Sequence, residues 1–182
     1  AQPTLRLSEL ISALSLALDM TEGQPPGHCV RVCWIGMNVG AELGLSQRDL
    51  WELYYTLLLK DLGCSSNAAR ICELYLADDL TLKSEFKLLD GSLPQALRFV
   101  LRHTGADAPL RKRVGAVLNI LKNGGDIVRE VIDTRCHRGA DIARRLRFPE
   151  GVAMGIQNLD EHWDGGGHPT GAVGEAIPVY AR

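Results

Sequence analysis

Apolar residues recur at intervals of three and four along most of this chain, and this spacing is the feature that most restricts its fold. In the segment from Leu5 to Met20, for example, Leu10, Ile11, Leu14 and Leu18 would share one side of an α-helix. Convincing runs of alternating apolar and polar residues, which are typical of half-buried strands, are absent from the sequence. The spacing therefore predicts an all-α fold.

Residues that start and stop helices divide the chain into predicted helical segments. Ser46 followed by Asp49 resembles a capping box, and the helix after it delivers Lys60 and Asp61 to the end of an apolar face. Glycines and prolines are frequent after Trp163 and predict an ordered loop or a chain of turns. The predicted helices cover about residues 5–20, 28–43, 46–61, 67–76, 94–103, 109–122, 126–146 and 149–163, and residues 77–94 carry no clear assignment.

Size and charge narrow the classes of function. With 182 residues, the chain is long enough for one domain with its own core. With a formal net charge of −2 the chain has no excess of positive charge to bind a phosphate backbone, so we expect no nucleic acid partner. No apolar run approaches the roughly 20 residues that span a bilayer, and the N-terminus lacks the order of a signal peptide. We therefore expect a cytoplasmic protein with no membrane partner.

The cysteines do not fit a disulfide framework. They are odd in number and irregular in spacing, which favours reduced and mostly buried thiols. Two of them, Cys29 and Cys33, lie one helical turn apart and would suit a soft metal, but no second pair completes such a site. The five cysteines are Cys29, Cys33, Cys64, Cys72 and Cys136.

Side chains able to bind a metal ion stand at predicted helix ends or beside loops in four places. They are His28, Asp61, His137, and Asp160 with its neighbour Glu161. Taken singly, a histidine or aspartate at a helix terminus is more often a cap or a surface residue than a ligand. Their order along the chain becomes informative only together with the motif that closes the sequence.

The segment LDEHWDGGGHPTGAVGEAIPVYAR, from Leu159 to Arg182, closely resembles the signature of the HD-GYP family, which reads roughly HHExWDGxGYPxGLxGxxIPxxARI. Upstream, GHCVR at 27–31 is similar to the family's GHxxR, and KDLGC at 60–64 is similar to HDIGK. In the same way, HRGADIA at 137–143 is similar to HxxxGxxI. The chain is therefore identified as a divergent member of this family, with GHP in place of GYP.

The resemblance implies a single HD-type helical bundle over residues 1–182, with a Gly-rich C-terminal loop. The family bridges the interval at about 65–129 with a shorter stretch, which implies a helical insertion there. A further Asp ligand comes, in the family, from a helix beyond the ARI motif, so the domain is expected to be cut short at its C-terminal end. Divalent metal ions such as Fe or Mn would activate a water that attacks a phosphodiester of cyclic di-GMP or a related nucleotide.

Carried onto this sequence, the resemblance also assigns roles to individual residues. The implied metal ligands are His28, Asp61, His137 and Asp160. The implied catalytic residues are Asp61 and Lys60, and the implied substrate-binding residues are Lys60, Arg138, Gly167 and His168.

Several positions depart from the family pattern. Lys60 replaces the histidine of the HD pair, Leu159-Asp160 replaces a His-His pair, and Gln24 stands where metal-rich members often have Glu. A protonated lysine cannot ligate a metal and would repel it, and a leucine side chain has no ligand atom. Lys60 could bind a phosphate in place of a metal, or it could pair with Asp61 or Asp160. The sequence leaves both interpretations open.

These observations support two functions, depending on whether family membership or the loss of ligand residues is given more weight. Family membership favours a metal-dependent phosphodiesterase of bacterial signalling that acts on cyclic di-GMP or another nucleotide. Loss of the usual ligands favours the alternative, a catalytically inactive regulatory module that binds a nucleotide or a signalling partner such as a diguanylate cyclase domain. A third and weaker interpretation is a scaffold that forms a homodimer.

Overall fold

The computed structural model describes residues 4–86, 92–106 and 108–182. Within these ranges the chain forms eight α-helices and no strand, apart from one isolated bridge between Asp164 and Val173. The all-α prediction is confirmed. The helices are α1 (Leu7–Thr21), α2 (His28–Glu42), α3 (Gln47–Leu58), α4 (Ala68–Tyr75), α5 (Asp79–Phe86), α6 (Leu93–His103), α7 (Leu110–Arg145) and α8 (Glu150–Gln157).

Local signals place most helix ends well. Ser46 caps α3 as predicted, because its hydroxyl accepts a hydrogen bond from the backbone N–H of Asp49 at 3.2 Å and donates one to the Asp49 carboxylate at 2.6 Å. Helix α5 lies in the segment without an assignment, of which residues 87–91 are outside the described ranges. Helix α8 ends at Gln157, several residues before the predicted end at Trp163.

The two helices predicted at 109–122 and 126–146 are one continuous helix, so that prediction is wrong. Helix α7 has 36 residues, which corresponds to a length of about 54 Å. Gly124 and Gly125 lie in its middle, and the space around both is open. Glycine weakens a helix by only about 1 kcal/mol and, unlike proline, does not break its hydrogen bonds. The helical turns on either side therefore keep the helix continuous across both glycines.

The core lies where α1, α2, α3, α8 and the C-terminal half of α7 meet. Leu58 and Leu59 at the end of α3 are almost fully buried against Ala140 of α7 and Val152 and Ile156 of α8. Burial of a leucine side chain contributes about 1.5–3 kcal/mol. This packing holds the segment after α3, which carries Lys60 and Asp61, against the other two helices.

The C-terminal segment is fastened to the bundle by a long-range hydrogen bond. The Tyr180 hydroxyl donates to a carboxylate oxygen of Asp49 at 2.7 Å, across 131 positions of sequence. As predicted, the segment after Trp163 is built of turns, with one short 3-10 helix at Gly174–Ala176. None of the helices in the described ranges combines the length and apolar character needed to cross a membrane.

The interval 65–129 holds α4, α5, α6 and the N-terminal half of α7. It includes residues 87–91 and 107, which are outside the described ranges. The core cluster of the bundle takes none of its residues from this interval. That separation is consistent with an insertion, and the insertion itself stays a prediction.

Candidate functional site

Asp61 lies directly after α3, and its carboxylate is surrounded by hydrogen-bond donors. The Lys60 ammonium contacts its Oδ2 atom, so Lys60 forms an ion pair with its neighbour. The thiols of Cys29 and Cys64 lie 3.4 and 3.8 Å from the two Asp61 oxygens. Of the two interpretations of Lys60 that the sequence leaves open, the structure shows the pairing with Asp61.

The turn that presents Asp61 is pressed onto the backbone of α7 at Gly63. A Cβ atom at this position would overlap the carbonyl of Arg135 and approach the backbone nitrogen of Gly139 at 2.8 Å. Backbone atoms cannot move aside as a flexible side chain can, so the close approach requires glycine here. The glycine of the KDLGC motif therefore sets the distance between the Asp61 turn and α7.

His28 begins α2 and shares an electrostatic environment with the Asp61 turn. Burial and the positive charge of Lys60 lower the pKa of His28, against the opposing effect of Asp61 and Asp19. Asp19 of α1 is fully buried beside it. One oxygen of Asp19 accepts the backbone N–H of Cys29 at 3.0 Å, and the other, Oδ2, has no hydrogen-bond partner among the described residues. Asp19 has no sequence signal of its own, because it stands as one polar position of an amphipathic helix.

On the facing wall, Arg135 of α7 forms an ion pair with Asp160. The Nε atom of Arg135 donates to Oδ2 of Asp160 at 2.8 Å, and its Nη2 atom contacts the other carboxylate oxygen. The Cys136 thiol also lies 3.3 Å from Asp160. Burial opposes the charge on Arg135, but attraction to Asp160 outweighs it and raises the pKa of the guanidinium.

His137, predicted as a metal ligand, does not join this group. Its imidazole is exposed, and its Nδ1 atom lies 2.7 Å from the backbone carbonyl of Asp133, one turn earlier in α7. The family pattern HxxxGxxI places its histidine four residues before the glycine, and the residue four before Gly139 is Arg135. Counting back from Gly139 thus points to Arg135, which is not among the site residues that the resemblance implies.

The two ion pairs face a common cavity of about 270 Å³, the ion-pair cavity. Two positive and two negative side chains line it, so its fixed charges cancel. Its lining residues are Lys60, Asp61, Cys64, Arg135, Cys136, Ile156, Leu159 and Asp160. The structure therefore brings together the predicted residues Lys60, Asp61 and Asp160, with His28 beside them.

The residues of this cavity do not fit the divalent metal site that the resemblance implies. Among the described residues, no group of three or more His, Cys, Asp and Glu side chains is placed to hold a metal ion. The carboxylates of Asp61 and Asp160 are already neutralised by Lys60 and Arg135. Burial raises the pKa of the Cys64 and Cys136 thiols to about 12, which disfavours the thiolate form in the metal-free site. The donor set suits ion pairs rather than a two-metal centre.

The Gly-rich loop is attached to this site by Glu161, which is the family's own Glu. The buried Glu161 carboxylate accepts hydrogen bonds from the Thr170 N–H at 2.6 Å, the Thr170 hydroxyl at 2.7 Å and the Ala172 N–H at 3.0 Å. All these donors belong to the loop, so Glu161 fixes the conformation of the loop.

The three remaining substrate-binding candidates lie at different depths. Gly167 is buried, and a Cβ atom there would overlap the backbone of residues 160–162. The backbone N–H of His168 donates to the carbonyl of Asp160 at 3.0 Å and ties the GHP turn to the ion-pair cavity. Arg138 is exposed on α7, outside the residues that line the cavity. Their roles in substrate binding stay predictions.

Comparisons with known proteins agree with these motifs. A family profile described as HD domain matches residues 106–182. The 3'3'-cGAMP-specific phosphodiesterase 3 of Vibrio cholerae is 56% identical over 182 residues, which are 100% of this chain and 40% of that protein. A crystal structure described as a cyclic GMP-AMP specific phosphodiesterase of Vibrio cholerae aligns with a TM-score of 0.66 at 49% identity. That alignment covers 97% of this chain and 38% of the other.

The chain thus spans about two fifths of the length of the relatives it matches. Its similarity to them runs along the whole of the chain, from the GHCVR segment to the Gly-rich loop. Together with the helical bundle, these similarities show that the chain belongs to the HD superfamily, as a domain of the HD-GYP type.

Proposed function

We propose that the protein containing this domain is a phosphodiesterase for a cyclic dinucleotide, and that this domain serves it without holding catalytic metals. The matched sequence and the matched crystal structure, both from Vibrio cholerae, are described as acting on cyclic GMP-AMP, and the identity of 56% supports the same substrate class. Cyclic GMP-AMP is therefore a better first candidate than cyclic di-GMP, which the family resemblance alone implies.

The observation that carries the second half of this proposal is the pair of cations at the site. Lys60 occupies the position of the HD histidine, and Arg135 occupies the position of the histidine four residues before Gly139. Each replaces a neutral ligand by a fixed positive charge. A divalent ion would have to displace both cations from Asp61 and Asp160 and would then be repelled by them. The two ion pairs therefore supply internally the charge balance that metals supply in other family members.

A residual role for the ion-pair cavity is recognition of a phosphate. Lys60 and Arg135 are both good phosphate partners, and Arg135 can bind an anion through two parallel hydrogen bonds. Each would have to exchange its aspartate for the phosphate, so the cations keep their charge-assisted hydrogen bonds while Asp61 and Asp160 lose theirs. This exchange suits a regulatory module that responds to nucleotide without cutting it.

Metal analysis tests the noncatalytic assignment. The 182-residue chain, purified without chelator and supplied with manganese or iron during growth, is expected to contain far less than one metal ion per molecule. Asp61→Asn is expected to leave that content unchanged. Stoichiometric metal that is lost in Asp61→Asn would show that Asp61 still belongs to a metal site, and would overturn this assignment.

Hydrolysis assays on the longer protein test the substrate separately. We expect cleavage of cyclic GMP-AMP with a higher kcat/KM than for cyclic di-GMP. If neither cyclic dinucleotide is cleaved in the presence of manganese or iron, the phosphodiesterase half of the proposal fails, whatever the metal content of this domain.

Calorimetry tests phosphate recognition by the domain. Cyclic GMP-AMP titrated into the 182-residue chain should release heat, and Lys60→Ala should weaken the binding. Arg145→Ala is the matched control, since Arg145 is exposed on α7 and lies outside the residues that line the cavity. If cyclic GMP-AMP releases no heat with the unmodified chain, the cavity does not recognise the phosphate. Contacts with other proteins would then be the regulatory role that remains.

A further inference from the structure

The N-terminal half of α7 exposes a line of apolar side chains to solvent. Five residues at intervals of four, four, three and seven share one side of the helix, and they are between 48% and 76% exposed. The line is about 27 Å long, and the described helices leave it largely uncovered. We name it the α7 seam; its residues are Leu110, Val114, Leu118, Leu121 and Val128.

Positively charged side chains follow one edge of the α7 seam. Arg111, Lys122 and Arg129 are eleven and seven residues apart, which is close to three and two full turns of a helix, so they lie on one line. All three are exposed, and none of them forms a hydrogen bond or an ion pair within the described part of the chain. Three cations are therefore available to a partner that lies along the seam.

Nearby acidic residues do not cancel this charge. Glu130 is ion-paired with Arg70 of α4 at 3.5 Å, and Arg70 also lies 3.5 Å from Glu73, so these two residues of α4 together add no net charge. Helix α6, which packs against this half of α7, contributes basic residues and no acid. Within residues 110–133, the basic residues are Arg111, Lys112, Arg113, Lys122 and Arg129, and the acidic ones are Asp126, Glu130 and Asp133.

We propose that the α7 seam binds an amphipathic helix of a partner protein, with acidic residues along the edge that faces Arg111, Lys122 and Arg129. Apolar residues at intervals of three and four pack well against a second helix, and charges at the edges of such a seam select the partner. An acidic edge would pair with the three cations, whereas a basic edge would be repelled. At Gly125, between Leu121 and Val128, the open space lets the partner helix approach closely.

A second copy of this chain has the wrong charges for the α7 seam. In an antiparallel pair of α7 helices, the two cationic edges would face each other. In a parallel pair, each cationic edge would face the opposite edge of the other copy, which offers no acid. The residues of that opposite edge are Val117, Gly124 and Val131.

An anionic membrane also fits the α7 seam less well than an acidic helix. Helices that lie on membranes usually carry aromatic residues on the apolar face, and α7 contains no tryptophan, phenylalanine or tyrosine. Asp126 is exposed between Lys122 and Arg129 and would be repelled by anionic lipid. An acidic helix can place its own carboxylates beside the cations and away from Asp126.

Two synthetic peptides test the selection by charge. Both consist of three heptads with Ile and Leu at the seam positions, and one carries Glu on both edges where the other carries Lys. Fluorescence anisotropy of each labelled peptide, titrated with the 182-residue chain, measures the affinity. We expect saturable one-to-one binding of the Glu peptide, and binding of the Lys peptide at least about tenfold weaker, since ion pairs become like-charge contacts. Equal affinities, or no binding of the Glu peptide, would contradict the proposal.

Variants of exposed residues locate the binding surface. Lys122→Glu combined with Arg129→Glu should reverse the preference between the two peptides, whereas Arg145→Glu, near the other end of α7, should preserve it. Leu118→Ser should weaken binding of the Glu peptide at least about tenfold. Leu43→Ser changes an equally exposed leucine at the end of α2 and should leave binding unchanged. Circular dichroism checks that each variant is folded, and an unchanged preference in the double variant would refute the pairing.

Two further measurements distinguish the other possible occupants. Sedimentation velocity of the chain alone detects a dimer, and co-sedimentation with phosphatidylglycerol vesicles detects lipid binding. A dimer or a vesicle complex that is lost in Leu118→Ser would assign the α7 seam to a second copy or to a membrane, and either result would overturn the proposal. None of these readouts depends on metal content or on hydrolysis of cyclic dinucleotides, so this proposal and the proposed function can fail separately.

Discussion

Arg135 and Asp160 join α7 to the segment after α8 through two side-chain contacts, one of which measures 2.8 Å between Nε and Oδ2. The two residues occupy positions where the family signature has histidines, so the ion pair stands in the place of two metal ligands. A bidentate arginine and carboxylate pair fixes orientation as well as distance. The pair thereby holds the start of the Gly-rich loop against the long helix.

Removal of one partner of this pair should destabilise the fold. The side chains are 35% and 25% exposed, so solvent screens the pair in part, and Arg135→Gln should lower the free energy of unfolding by about 1–2 kcal/mol. Asp160→Asn should have a similar effect. In the double variant the loss should be smaller than the sum, because neither charge is left unpaired. Urea denaturation followed by circular dichroism measures all three.

Arg138→Gln is the control for these variants, since Arg138 is exposed and close in sequence. It should change the stability by less than about 0.5 kcal/mol. Strict additivity of Arg135→Gln and Asp160→Asn would contradict a coupled pair.

The glycine of the KDLGC motif should be irreplaceable for a steric reason. In Gly63→Ala, the added methyl group meets the backbone of Arg135 and Gly139, and we expect a loss of about 3 kcal/mol or failure to fold. Gly124→Ala is the matched control. That position lies in the middle of α7 with open space around it, so the same change should stabilise the helix by about 0.5–1 kcal/mol. Thermal unfolding of both variants gives the comparison, and equal effects would refute the close approach.

The sequence predicts the local parts of this structure well. The cap of α3 at Ser46 and the turns after Trp163 depend on neighbouring residues, and the structure confirms both. The continuity of α7 could not be predicted from neighbouring residues alone. Gly124 and Gly125 weaken a helix without breaking it, and the long helical segments on either side keep it continuous.

In the site, as in the fold, the sequence predicts features that depend on nearby residues and does not predict those that depend on tertiary contacts. Asp61 and Asp160 are found in one cavity, as the motifs imply. The partner of Lys60 could not be chosen from the sequence, since a lysine reaches several acceptors with little difference in energy. Arg135 can be identified from the sequence only by its spacing to Gly139. Asp19 can be identified only from the structure, where its buried Oδ2 atom has no hydrogen-bond partner among the described residues.

Buried thiols should make the protein less stable in alkali. Burial raises the pKa of Cys33 to about 11 and that of Cys64 and Cys136 to about 12, from an ordinary value of 9.0. Above pH 9 the unfolded chain loses these protons while the folded chain keeps them, so the free energy of unfolding should fall as the pH rises. Urea denaturation between pH 8 and pH 10 measures the slope. Cys64→Ala should reduce it.

The same burial predicts which thiol reacts first. Cys72 is half-buried and the other four cysteines are buried. Iodoacetamide at pH 8 should therefore modify Cys72 in the folded protein and all five thiols in urea. Mass spectrometry of the digested protein identifies the labelled residue, and early labelling of Cys64 or Cys136 would show that the ion-pair cavity opens readily.

Replacement of the two cations by imidazoles should create a metal site. In the triple variant Lys60→His, Arg135→His and Leu159→His, neutral nitrogen donors replace both positive charges beside Asp61 and Asp160, which are then free to bind a cation. We expect the variant to bind one equivalent of manganese or cobalt that the parent chain does not bind, as measured by elemental analysis and, for cobalt, by visible absorption. The control, Lys60→Gln with Arg135→Gln, removes the charges without adding imidazoles and should bind no metal. If the histidine variant folds and also binds none, the two cations are not what keeps metal from this site, and the surrounding geometry has diverged from the family further than its motifs show.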